Sequence, residues 1–109
     1  NAAEKAAVIN NLRTLSTHEA TYMSVNGRYA RLGELNTFMN NSLGTMSGTT
    51  LMRGDYQYRT FPSTNPTTAY LAHRFAIRGI HLTRLSSGVS VVDFEIRIDQ
   101  SGVITVIQE

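Results

Sequence analysis

Residues 2–24 read AAEKAAVINNLRTLSTHEATYMS, and their apolar side chains recur at the three-to-four-residue spacing of an amphipathic helix. At ~1.5 Å per residue, a helix from Ala2 to about Ser24 is roughly 35 Å long, about the diameter of a domain of this size. Asn1 can cap this helix, but the alanines after it continue a helix-favouring run as though the helix began earlier. We therefore expect the helix to be the spine of the fold, and we expect a further segment to precede it.

Placing the helix residues at intervals of about 100° separates an apolar face from a polar face. The apolar face, with Ile9 at its margin, comprises Val8, Leu12, Leu15, Tyr22 and Met23. Glu19 falls near the middle of this face, where an ionised carboxylate is costly unless it is paired. It must either find a donor or lie beyond the edge of the core. Because long helices often extend past their domain, we favour the second interpretation.

The composition fits one folded domain of 109 residues, of which 41% are hydrophobic and 17% are charged. The net charge of +2 is spread over single arginines, which is weak evidence for a polyanionic partner. The chain has no cysteine, which excludes disulfides, thiol catalysis and cysteine-ligated metal centres. No apolar run approaches the ~20 residues of a membrane-spanning helix.

After the helix, the sequence predicts a connection and then a sheet. Gly27 is suited to the left-handed position that ends a helix, and residues 29–35 have apolar positions spaced for one short helical turn. Residues 40–50 are rich in Asn, Ser, Gly and Thr, which is typical of an exposed loop. The single domain 1–109 is therefore divided into a helical spine 1–25, a helix-to-sheet loop 26–50 and an antiparallel sheet 51–109.

About four strands are predicted in the sheet region. They are expected at 54–61, about 70–85, 92–98 and 103–107, the last two being joined by a turn at 99–102. A shift of the apolar phase at Gly79 predicts a bulge or bend there. The third strand alternates apolar and polar residues, so one of its faces should be exposed to solvent. These elements predict an α+β fold, with a long N-terminal helix packed on an antiparallel sheet.

No pattern of catalytic or metal-binding residues is visible in the sequence. His18, His73 and His81 lack the spacing of a local metal site, and the apolar residues on either side of His81 place its side chain near solvent. The chain also lacks a nucleophile elbow and a phosphate-binding loop. Asp93 and Glu95 are interpreted as the solvent face of a strand. Their expected cross-strand partners are Arg74, Arg78 and Arg84. The sequence therefore predicts a protein that is not an enzyme, with no catalytic, cofactor-binding or metal-binding residue.

A basic binding surface is an alternative interpretation. Tyr56 and Tyr58 could stack on bases or sugar rings beside a stripe of arginines. The stripe would consist of Arg53, Arg59, Arg74, Arg78 and Arg84. Acidic residues on the same strands weaken this interpretation, so a nucleic-acid or glycan partner is retained as an alternative and is not favoured.

Both ends of the chain resemble the exposed domain of bacterial type IV pilins. Residues 11–22, NLRTLSTHEATY, are similar to an N-L-R-T-x-x-T-x-E-x-T-Y run in the exposed second half of the family's long N-terminal helix. The segment 27–35 matches the G-x-Y…L…L pattern that follows in the family. Residues 94–104 resemble its closing F-x-x-D-x-S-G-x-I hairpin. Residues 36–90 match the family only in general character, without a specific motif.

The resemblance implies a non-enzymatic filament subunit whose apolar half-helix, about one membrane span long, precedes this sequence. A prepilin peptidase would remove a short leader, and the full-length form would be anchored in the inner membrane before assembly. The assembled protein would lie in an extracellular pilus on the cell surface and support attachment, twitching motility or DNA uptake. Its partners would be copies of itself, other pilins and the pilus assembly machinery.

The resemblance also assigns two sets of helix residues. Those that would hold the helix to its own sheet are Val8, Leu12, Leu15 and Tyr22. Those available to neighbouring helices in the filament would be Glu4, Lys5, Ile9, Arg13 and Ser16. The chain lacks the C-terminal disulfide of many family members. It also lacks the acidic C-terminal calcium loop of major type II secretion pseudopilins, which favours a pilus subunit over the pseudopilin alternative.

Overall fold

A computed structural model describes all 109 residues of the chain. One six-stranded antiparallel sheet, with its strands side by side in chain order, accompanies three helices. The helices are α1 (Ala2–Asn26), α2 (Leu32–Phe38) and α3 (Thr68–Leu71). The strands are β1 (Thr45–Ser47), β2 (Thr50–Arg53), β3 (Tyr56–Thr60), β4 (Ala76–Arg84), β5 (Ser90–Asp99) and β6 (Ile104–Gln108). The predicted α+β class, with a long N-terminal helix and an antiparallel sheet, is confirmed.

The predicted number of about four strands is wrong, because β1 lies in the segment expected to form a loop and β2 begins at the end of that segment, before the first predicted strand. Gly48, at a φ of 59°, and Thr49 form its two-residue turn. Most side chains of this edge hairpin remain accessible to solvent, while Leu51 is buried in the core. Because these side chains are accessible, polar residues are tolerated and the hairpin has the composition of a loop. Its β-branched threonines are nevertheless good strand formers.

Helix α1 packs its apolar face against β4 and β5. The buried apolar residues of this face are Val8, Leu12, Leu15 and Tyr22. Beside them, Asn11 Nδ2 donates a 2.8 Å hydrogen bond to the hydroxyl oxygen of Tyr58 on β3. Burial raises the pKa of Tyr58 to about 12, so this hydroxyl stays protonated in the core. Apolar packing and a polar contact thus hold the helix to the sheet.

Both ends of α1 are capped. The Asn1 side chain accepts a 3.0 Å hydrogen bond from the backbone N–H of Glu4, and the Glu4 carboxylate accepts one from the backbone nitrogen of Asn1. At the other end, Gly27 adopts the left-handed conformation with a φ of 76° and donates its N–H to the Met23 carbonyl. The predicted end of the helix at Gly27 is confirmed.

Gly79 is a regular strand residue, so the predicted bulge or bend at this position is wrong. It lies opposite Tyr58 on β3 and Ile96 on β5. A Cβ at this position would lie 2.5 Å from Val8 Cγ1 and 2.9 Å from Tyr58 Cε1. The glycine is required because α1 approaches the sheet closely at this point, leaving no room for a side chain.

We expect Gly79→Ala to reduce the free energy of unfolding by about 1–3 kcal/mol, because the added methyl group overpacks the contact with Val8. Adding Val8→Ala removes the clashing methyl group, so chemical denaturation should show a double variant that loses less stability than the sum of the single variants. Gly33→Ala is the matched control, since its nearest neighbour, Met46 Cε, is 3.9 Å away. Additive effects of the two substitutions would contradict the close approach.

The break in the sheet register lies between His81 and Leu82. His81 is opposite Phe94, whereas Leu82 is opposite Val92, which leaves Asp93 as the extra residue of a β-bulge. The alternation that faces α1 therefore continues through His81, whose side chain is only 16% exposed. The prediction that His81 lies near solvent is wrong, because the phase shift follows this residue instead of preceding it.

The predicted second strand begins later than expected, because residues 68–71 form the short helix α3. The hydroxyl of Thr67 caps this helix by accepting a 3.1 Å hydrogen bond from the backbone N–H of Tyr70. Strand β4 begins only at Ala76. Local capping outweighs the strand propensity of Tyr70.

The sheet face opposite α1 is less exposed than the alternation along β5 predicts. Glu95 is 8% exposed, and its cross-strand neighbour Ile80 is also buried. The predicted pairing of Glu95 with Arg78 is present at 3.6 Å, and Arg97 lies closer, at 2.6 Å. The prediction of a solvated face is therefore wrong at Glu95, where two guanidinium groups compensate a buried carboxylate.

Candidate functional site

The first candidate site is the surface of α1 that faces away from the sheet. Its exposed residues include Arg13, Thr14, Thr17, Ala20, Thr21 and Ser24. The hydroxyl groups of Thr17 and Thr21 donate to backbone carbonyls one turn earlier, so the helix itself satisfies them. None of the three helices combines the length and the apolar character needed to cross a bilayer. This surface is a polar strip on the outside of the domain.

The five residues assigned to neighbouring helices lie in two different environments. Three of them contact other parts of this chain: Glu4 contacts His81 on β4, Lys5 Nζ lies 3.8 Å from Oε1 of the exposed Glu109, and Ile9 packs against the core margin. The other two are Arg13, which is exposed, and Ser16, which is half-buried. Arg13 is therefore the charged member of the set that projects away from the domain.

Glu19 is fully buried, so the favoured prediction that it lies beyond the core is wrong. Its Oε1 accepts a 2.7 Å hydrogen bond from the backbone N–H of Ala30, while Oε2 has no partner. Burial raises the pKa of this carboxyl to about 8, and the Ala30 hydrogen bond opposes the shift without overcoming it. Glu19 thus fixes the chain reversal after α1, at the cost of an unsatisfied polar atom.

A half-buried ion cluster closes the same reversal. Arg28 contacts the Glu34 carboxylate through two nitrogens, at 2.6 and 3.0 Å, and Arg31 contacts it at 3.1 Å. The hydrogen bonds from Arg28 hold the pKa of Glu34 at about 2. The two carboxyl groups therefore have widely different pKa values, because Glu19 is buried and Glu34 is paired with arginine.

The second candidate site, the Glu4–His81–Asp93 cluster, lies where the first turn of α1 meets β4 and β5. His81 Nδ1 is 2.8 Å from Asp93 Oδ2, and His81 Nε2 is 3.3 Å from Glu4 Oε2. The imidazole ring stacks on Phe94 with centroids 5.5 Å apart, and it contacts Tyr56. The donor atoms of the three cluster residues lie within 4.8 Å of one another. Sequence spacing missed this cluster because its residues come from three separate elements.

The arginine stripe suggested by the sequence is only partly assembled. Arg59 and Arg78 lie directly opposite each other on β3 and β4, and Arg97 on β5 extends the row. Glu95 contacts both Arg78 and Arg97, which reduces the positive charge of the row. Arg97 was not among the arginines suggested from the sequence, because its place in the row depends on the register of β4 and β5.

The remaining members of the suggested basic surface lie elsewhere. Arg53 donates to a backbone carbonyl, and Arg74 lies over the ring of Tyr70. Arg84 is exposed near the end of β4. Tyr58 is buried, so the prediction that it stacks on a base or sugar is wrong. The structure therefore supplies a three-arginine row instead of a five-arginine stripe with two tyrosines.

A surface pocket of about 160 Å³ lies beside α3. It is lined by Pro62, Ser63, Asn65, Pro66, Thr67 and Tyr70. These residues offer hydroxyl and amide groups, and none of them supplies an imidazole or a carboxylate that could act as a general base near neutral pH. We therefore assign no function to this pocket.

No protein-family model matches the chain, and neither a curated protein nor a solved structure does. The features that bear on function are therefore those of the chain itself. They are the exposed face of α1, the anchoring of that helix to the sheet and the Glu4–His81–Asp93 cluster.

Proposed function

We propose that this chain is the exposed domain of a type IV pilus subunit, a non-enzymatic protein that assembles with copies of itself and with other pilins. One observation carries the proposal: the 25-residue helix α1 buries one face in the domain core and leaves the other exposed. A helix of this kind can pack against neighbouring helices while its sheet stays on the outside of a filament. The sequence resemblance at both ends of the chain supports the same function.

The attachment of α1 to the sheet fits a subunit that transmits load along a filament. The apolar face of the helix provides continuous packing, and the hydrogen bond between Asn11 and Tyr58 adds a lateral tie. Glu19 ties the end of the helix to the backbone of Ala30. These contacts spread over the whole helix, so a pulling force on α1 would be shared with the sheet.

The edge strand β6 provides a second surface suited to subunit contacts. Its exposed apolar residues, together with the residue preceding it, are Val103, Val106 and Ile107. Apolar side chains next to an unpaired strand edge favour association with another chain. In the proposed filament, this edge meets an adjacent subunit and the polar face of α1 meets neighbouring helices.

The proposal predicts that Arg13→Glu in the full-length gene product, expressed in its own cells, strongly reduces surface filaments. Reversing this exposed charge would place an unmatched carboxylate against neighbouring helices. Immunogold electron microscopy of sheared filaments measures the effect, and Arg84→Glu, an exposed arginine on the sheet, is the matched control. Filaments that never contain this chain would contradict the proposal. Abolished protein export with intact pili would indicate the pseudopilin alternative.

The row of Arg59, Arg78 and Arg97 favours a second candidate function, binding of a nucleic acid or an acidic glycan. A surface that neutralises phosphates gives an affinity that falls steeply with salt concentration. Titrating single-stranded DNA against the chain at several salt concentrations tests this candidate. A measurable affinity with a steep salt dependence would support it, and no binding at low salt would dismiss it.

A further inference from the structure

The Glu4–His81–Asp93 cluster is built by the fold. The β-bulge at Asp93 takes this residue out of the regular alternation of β5 and lets its carboxylate reach His81. Stacking on Phe94 and the contact with Tyr56 hold the imidazole ring in place. Bulges next to sites that bind ligands commonly re-aim a side chain in this way.

The two nitrogens of His81 have different partners. The 2.8 Å distance from Nδ1 to Asp93 Oδ2 is that of a charge-assisted hydrogen bond, which places a proton on Nδ1. In the neutral ring, Nε2 then carries a lone pair, and it lies 3.3 Å from Glu4 Oε2. Two electron-rich atoms face each other across this gap. A cation between them removes the repulsion.

We propose that this cation is a divalent metal ion of the zinc class, bound by His81 Nε2 and Glu4 Oε2. Two ligands of a tetrahedral zinc ion lie ~3.4 Å apart, so the 3.3 Å distance between Nε2 and Oε2 matches the spacing of two ligands on one ion. Imidazole nitrogen and carboxylate oxygen are both ligands that zinc accepts. Asp93 holds the ring in the tautomer that frees Nε2, the usual arrangement behind a metal-bound histidine.

The cluster lies where water can reach a bound ion and where the ion would link α1 to β4. The side chains of Glu4 and Asp93 are 30% and 37% exposed, so water can reach the site and complete the coordination. Glu4 belongs to the first turn of α1, whereas His81 belongs to the sheet. The ion therefore ties the start of the helix to β4, and its binding stabilises the folded chain.

Isothermal titration of the chelator-treated chain with zinc chloride at neutral pH tests the proposal. We expect one saturable site, and we expect His81→Gln and Glu4→Gln to abolish it. Glutamine at position 4 can still complete the helix cap, so the second variant is expected to stay folded. Asp93→Asn should weaken zinc binding by roughly 10–100-fold, as loss of the partner of a metal-bound histidine does. His73→Gln is the matched control because His73 is exposed and lies outside the cluster.

Thermal unfolding provides an independent readout on the same proteins. Zinc should raise the Tm of the unsubstituted chain and of His73→Gln, and it should leave the Tm of His81→Gln unchanged. The proposal is overturned if no saturable site is found, or if His81→Gln and His73→Gln bind zinc equally. It is also overturned if the stability contributed by His81 changes with pH but not with zinc, because the cation between Nε2 and Glu4 is then a proton.

Discussion

The free energy of unfolding should fall by on the order of 5 kcal/mol as the pH rises from about 4.5 to about 8, because of Glu19. Burial raises the pKa of this carboxyl to about 8 in the folded chain, whereas the unfolded chain keeps the ordinary value near 4.5. Between these values the folded state binds a proton that the unfolded state does not. The contribution of Glu19 to the free energy of unfolding is therefore complete below about pH 4.5, and it is lost as the pH rises through about 8.

Glu34 acts in the opposite direction at lower pH. The Arg28 hydrogen bonds hold its folded-state pKa at about 2, so its contribution is complete above the ordinary carboxyl value and is lost as the pH falls toward 2. With both residues present, denaturant unfolding followed across the pH range should show maximum stability near pH 4–5. This maximum is more acidic than is usual for folded proteins.

Glu19→Gln should remove the fall in stability between pH 4.5 and 8. The amide keeps an oxygen for the Ala30 N–H and cannot ionise, so the variant should match the unsubstituted chain at about pH 4 and exceed its stability at about pH 8.5. Glu109→Gln is the control, since that side chain is 74% exposed. If the unsubstituted chain shows no loss of stability between these pH values, the buried carboxylate is not where we place it.

The second large effect is expected at Leu12, in the centre of the contact between α1 and the sheet. Leu12→Ala should reduce the free energy of unfolding by about 2–5 kcal/mol, because it removes apolar contacts and leaves a cavity in a closely packed interface. Urea denaturation measured by circular dichroism gives the change directly. A loss of this size is a large part of the total stability of a domain this small.

Arg13→Ala is the matched control for Leu12→Ala. Arg13 lies at the next position of the same helix but is exposed. The free energy of unfolding of this variant should therefore stay within about 0.5 kcal/mol of that of the unsubstituted chain. Equal effects of the two substitutions would show that α1 is not docked on the sheet by its apolar face. The proposed subunit architecture would then lose its physical basis.

The elements with strong periodicity could be predicted from the sequence. The apolar spacing of Val8, Leu12 and Leu15 indicates α1 and the face that it buries. Gly27 marks the end of the helix because it readily adopts a positive φ. The closing turn at 99–102 was predicted as well, and Gly102 there has a φ of 79°. In these segments, local propensity and tertiary packing favour the same structure.

Other features depend on long-range packing and could not be predicted. The hairpin of β1 and β2 has the composition of a loop, and only its attachment to β3 makes it part of the sheet. A phase shift near Gly79 was visible, but its position between His81 and Leu82 depends on the register with β5, where Asp93 is the extra residue. Glu19 was recognised as a conflict in the apolar face, and the Ala30 N–H that resolves it becomes available only in the folded chain.

The candidate site was predicted in part. The exposed face of α1 follows from helical periodicity. The contact of Glu4 with His81 and that of Lys5 with Glu109 do not, because they depend on the folded arrangement of the chain. The Glu4–His81–Asp93 cluster left no local signal, because it depends on a bulge and on the register of two strands. Clusters assembled from three separate elements require the fold to be known first.

Because the chain has no cysteine, single-cysteine labelling tests the central claim that the exposed face of α1 packs against neighbouring subunits. Thr14→Cys places a thiol on that face, and Thr83→Cys places one near the tip of the β4–β5 hairpin; both positions are exposed in the single domain. We predict that maleimide labels both thiols in free subunits, and that filaments of the full-length gene product protect Cys at position 14 while position 83 stays reactive. Equal labelling of position 14 in filaments and in free subunits would contradict the account.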